Sequence, residues 1–159
     1  MPRIIKAGPI LPSGRIAVIV SRYNDKVTDA LLQGALAELR VAGLTEDQID
    51  VLEIPGAFEL SVTVKRAVER SDVSAVICLG AVIRGETPHF DYICQAAALG
   101  IMRAGQDSGK PVTFGVITAN TPAQAFERAG GAVGNKGTEA ARAAIELLSV
   151  LKQWETSSD

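Results

Sequence analysis

Short apolar runs alternate with segments of helical spacing along almost the whole chain. Aliphatic and β-branched residues over 16–20, 49–54, 73–79 and 112–118 predict four strands, bounded by glycine, proline and polar residues. Between the first two, Val27, Leu31, Leu32, Ala35, Leu36 and Leu39 recur with helical period, and Gly43 is a natural stop. Leu60, Val64, Ala67 and Val68 mark a second helix over about 57–70. Ile93, Ala96, Ala97, Gly100 and Ile101 mark a third, starting near Phe90. A short helix over 122–128 follows the fourth strand, with Thr121 as its cap. An alanine-rich last helix runs from Asn135 or Lys136 to about Leu151. Residues 1–15 hold Pro2, Pro9 and Pro12 and read as an arm, loose or laid on another surface. Residues 16–153 read as one domain, and 154–159 as a frayed tail.

Strands that alternate with helices, and that are apolar without a clean two-residue alternation, belong to a parallel sheet covered on both faces. Right-handed crossovers then give an α/β fold, a three-layer α-β-α sandwich; a four-stranded flavodoxin-like sheet of order 2-1-3-4 is the arrangement expected. All four strands end on one rim, where open α/β sheets keep their ligands. The segments expected there are residues 21–24, 55–59, 80–89 and 118–120. The third is the richest. It has a glycine turn, hydroxyl and amide donors, and His89, the one histidine of the chain, just before a helix start. A single histidine cannot build a multi-histidine metal cluster. It can shuttle protons or merely cap the following helix, and the local sequence admits both readings.

Composition narrows the classes. An apolar fraction of 47% rules against disorder, and aromatics at 4% leave the core to aliphatic residues. Sixteen basic and eighteen acidic residues, with no basic tract, argue against nucleic acid as a partner. Cys78 and Cys94 form neither a CxxC pair nor a zinc motif and read as packing residues. No signal peptide and no long apolar span is visible, so a cytoplasmic location without membrane contact is expected. There is no GxGxxG after the first strand, no GxxxxGK[ST] and no GxSxG elbow. These absences count against a dinucleotide enzyme, a P-loop hydrolase and a serine hydrolase.

Several segments in order resemble the lumazine synthase family. They are Arg22-Tyr23-Asn24, Pro55-Gly56-Ala57-Phe58-Glu59, the run from Gly80 to Tyr92 (GAVIRGETPHFDY), Phe114 to Thr118 (FGVIT), Gln124-Ala125 with Arg128-Ala129-Gly130, and Gly134-Asn135-Lys136-Gly137. Together they cover nearly all of the chain after the arm. The resemblance implies a transferase of riboflavin biosynthesis. It condenses 5-amino-6-(D-ribitylamino)uracil with 3,4-dihydroxy-2-butanone 4-phosphate to 6,7-dimethyl-8-ribityllumazine, phosphate and water, without metal or organic cofactor.

The same resemblance implies roles. Tyr23, beside Asn24, stands where an aromatic stacks on the pyrimidine. Ala57, Phe58 and Glu59 contact the ribityl chain, and Ala81, Val82 and Ile83 line the ring pocket. Gly85, Glu86 and Thr87 cradle the phosphate with Arg128, and His89 transfers protons. Phe114 closes over the heterocycle, and Lys136 lies near the site. Phe114, Arg128 and Lys136 are implied to come from a neighbouring subunit. The resemblance further implies a homo-oligomer, a pentamer or a shell of twelve pentamers, whose arm adds a strand to a neighbour's sheet. It also admits association with riboflavin synthase. The rival readings are an archaeal-type riboflavin synthase and a non-catalytic flavin-binding or shell-forming protein.

Overall fold

The strands lie parallel, as the alternation of strands and helices predicts, and in the expected order β2-β1-β3-β4. In this computed structural model, which describes residues 1–157, they are β1 (Arg15–Ser21), β2 (Ile49–Ile54), β3 (Val73–Ile83) and β4 (Val112–Ala119). The helices are α1 (Asp25–Val41), α2 (Leu60–Val68), α3 (His89–Ser108), α4 (Pro122–Glu127) and α5 (Lys136–Thr156). α1 and α5 cover one face of the sheet, and α2 and α3 cover the other. Successive side chains of a strand point to opposite faces. Ile16, Val18, Val20, Ile77 and Leu79 therefore meet Leu31, Ala140 and Ala144. Ala17, Ile19, Val76 and Cys78 meet Leu60, Val64 and Ile101. The result is the three-layer sandwich expected, with an apolar core on each side of the sheet.

Three details differ from the periodicity reading. β3 runs four residues past Leu79, so Gly80 is a strand residue paired with Val116 and not a turn. A β-carbon on Gly80 would sit 2.9 Å from Ser21 Oγ, so here the glycine serves close packing. Next, the glycine-rich stretch before the last helix forms a small antiparallel hairpin, β5 (Ala129–Gly131) and β6 (Gly134–Asn135). Gly130 and Gly134 have φ of 102° and 112°, a backbone that favours glycine. Finally, α5 continues to Thr156, so Trp154 is helical, while residues 158–159 of the expected tail lie outside the described residues.

The arm before β1 has no strand of its own and runs along α5 of the same chain. Gly8 N–H donates to the buried Ser149 Oγ at 2.8 Å, and that hydroxyl donates back to Gly8 C=O at 3.1 Å. Gln153 Nε2 donates to Lys6 C=O at 2.8 Å. At the far end of the sheet from the strand C-termini, Arg15 grips Asp50 with two hydrogen bonds of 2.8 and 2.6 Å. This pairing of strand starts holds the Asp50 carboxyl below the usual aspartate range. Among the described residues, no helix is long and apolar enough to cross a membrane.

Candidate active site

The C-termini of β1, β2 and β3 each deliver residues to a cavity through a defined local device, whereas residues 118–120 after β4 do not line that cavity. After β1, Arg22 N–H and Tyr23 N–H continue the ladder to Ile54 and Pro55 carbonyls at 2.8 and 3.0 Å. Asn24 then takes the left-handed conformation at φ 63°, which asparagine tolerates better than most residues. Its carbonyl accepts from Val27 and Thr28 N–H and starts α1. Its side-chain Nδ2 reaches across to Ala81 C=O at 2.9 Å, tying the β1 exit to β3. The turn leaves Tyr23 74% exposed at the strand ends.

After β2, Pro55 and Gly56 stop the strand, and residues Ala57–Glu59 make a single 3₁₀ turn into α2. Ala57 is buried and anchors the turn, while Phe58 points outward and is exposed. The Glu59 carboxylate folds back over Gly56, whose missing β-carbon would lie 3.5 Å from Oε2. That carboxylate makes no hydrogen bond or ion pair among the described residues, so its acceptor oxygens are available.

After β3, residues 84–88 lead into α3, which begins at His89. His89 N–H lies 3.4 Å from Thr87 Oγ1, and Asp91 N–H donates to Pro88 C=O at 3.0 Å. Gly85 has open space where a β-carbon would be. Exposed backbone donors next to a helix start favour an anion, through unpaired N–H groups and the helix dipole.

These pieces enclose one cavity of about 650 Å³ at the C-terminal ends of the strands. Tyr23, Asn24, Ala57, Phe58, Glu59, Ala81, Val82, Ile83, Gly85, Thr87 and His89 all line it. The volume is in the range of small-molecule sites. Three further residues line the cavity: Gly56, which the sequence places within the rim segment 55–59, and Phe90 and Ile93, to which the sequence gives no site role. Phe90 and Ile93 are three apart on α3 and follow the same helical spacing as the core residues Ala97 and Ile101, so their pattern reads as packing. Nothing in the period distinguishes a core position from a cavity wall one turn further along.

Four predicted site residues lie outside this cavity. Glu86 is exposed on the loop but does not line it. Phe114 stands 45% exposed on the edge strand β4. Arg128 closes α4, with Nη1 on Gln124 C=O at 3.0 Å and 3.6 Å from a Glu127 carboxylate oxygen. Lys136 opens α5 and pairs with Glu139 at 3.2 Å. The lining itself holds neither lysine nor arginine. A groove of similar volume, 640 Å³, runs between α2 and α3, but it offers no aromatic ring. Both thiols lie away from reactive settings. Burial pushes the Cys78 thiol up, and burial together with nearby Asp91 raises that of Cys94.

A flavodoxin-like sandwich with an aromatic-rimmed cavity at its strand ends, an anion-suited loop and a lone imidazole defines an α/β domain that holds a small ligand at its strand ends. Known proteins agree and are more specific. The family model described as 6,7-dimethyl-8-ribityllumazine synthase matches residues 13–152. The 6,7-dimethyl-8-ribityllumazine synthase of Thermus thermophilus is 50% identical over 138 residues, 87% of this chain and 88% of the relative. That of Salinibacter ruber is 44% identical over 155 residues, 98% of this chain and 99% of the relative. That of Desulfatibacillum aliphaticivorans is 43% identical over 155 residues, 98% of this chain and the whole relative. The chain belongs to the 6,7-dimethyl-8-ribityllumazine synthase family.

Proposed function

We propose that the cavity at the strand ends is where 5-amino-6-(D-ribitylamino)uracil condenses with 3,4-dihydroxy-2-butanone 4-phosphate. The product is 6,7-dimethyl-8-ribityllumazine, with release of phosphate and water. The observation that carries this reading is the single cavity into which the segments after β1, β2 and β3 converge. Tyr23 offers a flat face for the pyrimidine. Glu59 offers a free carboxylate for the ribityl hydroxyls, and Ala81, Val82 and Ile83 form an apolar wall around the ring. The loop of Gly85, Glu86 and Thr87 offers its backbone to the phosphate. His89 moves protons as the amine adds to the ketone, phosphate leaves and the ring closes. Holding two substrates in one enclosure supplies much of the remaining rate.

A phosphate in a cavity without lysine or arginine lacks a cation, and a second subunit supplies it. Arg128, with Phe114 and Lys136, then faces the cavity of the adjacent protomer. The exposed rings of Tyr23, Phe58 and Phe114 support this arrangement, because large apolar side chains at a rim call for a partner surface. Tyr92, Leu99 and Met102 add an exposed apolar stripe on α3. The minimum functional unit is then an oligomer, and the family resemblance implies a pentamer.

The direct test is anaerobic incubation with both substrates, following lumazine absorbance and phosphate release together. The expected result is stoichiometric appearance of both, and turnover of lumazine alone would point instead to a riboflavin synthase. Arg128→Ala is expected to raise KM for the butanone phosphate about tenfold or more while barely changing pyrimidine affinity. Arg128→Lys restores charge without the two-pronged geometry and recovers only part of the loss. Mixing Arg128→Ala and His89→Ala subunits is expected to regain activity, since some sites then receive both native residues. Absence of recovery after verified mixing would place the whole site in one chain.

A further inference from the structure

Arg84 lies between the cavity wall and the phosphate loop, yet it turns away from the cavity. Its backbone N–H donates to Ala119 C=O at 2.9 Å, extending the β3–β4 ladder one residue beyond the strand. Its guanidinium then makes three contacts. Nε donates to Asn120 Oδ1 at 3.0 Å, just past the end of β4. Nη2 donates to Asp91 Oδ1 at 3.2 Å, in the first turn of α3. The plane also lies 4.3 Å from the centroid of the Phe90 ring, which lines the cavity. One side chain therefore ties the end of β4 to the residues on either side of the loop that ends at His89. A planar fork can serve Asn120, Asp91 and a ring together; an ammonium on a flexible stem cannot hold all three in one geometry.

We infer that Arg84 is a positioning residue for the reaction, fixing the loop of Gly85, Glu86 and Thr87 and the first turn bearing His89 relative to the sheet. It touches neither substrate. The inference rests on the reading of that loop as the phosphate site and of His89 as the proton-transfer group. Without the clamp, the first turn of α3 and the loop are free to shift together. Displacements of about 1 Å at a reacting centre cost up to about 100-fold in rate. Asp91 at the start of a helix is favourably placed even when unpaired, and the ion pair is exposed. Loss of Arg84 is therefore expected to act on catalysis and not on folding.

The test compares Arg84→Ala, Arg84→Lys, Asn120→Ala and His89→Ala in the assembled protein. The readouts are kcat, KM for the butanone phosphate, affinity for the pyrimidine and thermal unfolding. Arg84→Ala is expected to raise KM for the phosphate substrate about tenfold and to lower kcat by a similar factor. Pyrimidine affinity should stay within about twofold and the unfolding midpoint within about 3 °C. Asn120→Ala should move the same constants in the same direction by less. Arg84→Lys should retain most of the defect. Full rescue by lysine would overturn the inference, since charge alone would then suffice. Parent-like kinetics for Arg84→Ala beside an impaired His89→Ala would also overturn it, while leaving the site reading intact. Parent-like kinetics for both would remove the site reading and this inference with it. An impaired Arg84→Ala beside a parent-like His89→Ala would keep the loop clamp and remove the proton-transfer role.

Discussion

His89→Ala is expected to slow turnover by about 10- to 100-fold, the usual contribution of one positioned proton-transfer group. The side chain is exposed in the protomer, at the first residue of α3, and it lines the cavity. It contributes little to packing there, so the loss should appear in rate and not in stability. The condensation passes through an amine addition, loss of phosphate and a ring closure, each needing a proton moved near neutral pH, where imidazole is effective. Some rate survives because binding both substrates together does not depend on the imidazole. Affinity for the pyrimidine should change little. The measurement is steady-state and single-turnover kinetics over about pH 6 to 8. A variant whose rates match the parent throughout that range would exclude His89 from proton transfer and leave it a helix-start residue only.

The fold was legible because apolar runs and helical spacing report burial directly, and nearly every buried residue lies in one of those patterns. Gly80 was not legible. A glycine after an apolar run reads as a turn, and only the contact with Ser21 Oγ shows it as a packing position inside β3. The β5–β6 hairpin was hidden for a related reason, since a run of glycines specifies freedom, not the conformation chosen. The cavity was more legible than its walls. Tyr23, Glu59, Thr87 and His89 stood out because polar or aromatic chemistry follows each strand, and topology gathers strand ends on one rim. Phe90 and Ile93 carry no such mark, because a cavity wall and a core use the same side chains at the same spacing. Arg84 was visible only as a charge within a motif. Its role depends on Asn120, 36 residues away, which no local pattern connects to it.

Gly137→Ala is expected to produce the largest loss of stability of any single methyl group added in this region. Gly137 lies in the first turn of α5, where that helix crosses α1. A β-carbon there would lie 2.7 Å from the carbonyl carbon of Leu31 and 2.9 Å from its Cα, both backbone atoms that cannot rotate aside. The neighbouring contacts depend on the same closeness. Asn135 Oδ1 caps α5 by accepting from Gly137 and Thr138 N–H at 2.8 and 3.2 Å, while its Nδ2 donates to Ala30 C=O at 3.1 Å. Gly34 on α1 leaves the room that this amide occupies. Alanine favours a helix over glycine by about 1 kcal/mol, but forced separation of packed backbones costs about 1–3 kcal/mol or more. With rigid atoms on both sides the second effect wins, for a net loss of about 2 kcal/mol and a fall of about 4–8 °C in the unfolding midpoint. The shift also carries function, because Lys136 opens the helix that moves with Gly137 and its N–H donates to Arg128 C=O at 2.9 Å, so KM for the phosphate substrate should rise as well. Gly85→Ala is the control, since a β-carbon there meets nothing within 4 Å and the midpoint should not move. Thermal unfolding of both variants decides the matter. A Gly137→Ala protein as stable as the parent would mean that α1 and α5 can part without cost, and that the crossing does not fix the position of Arg128.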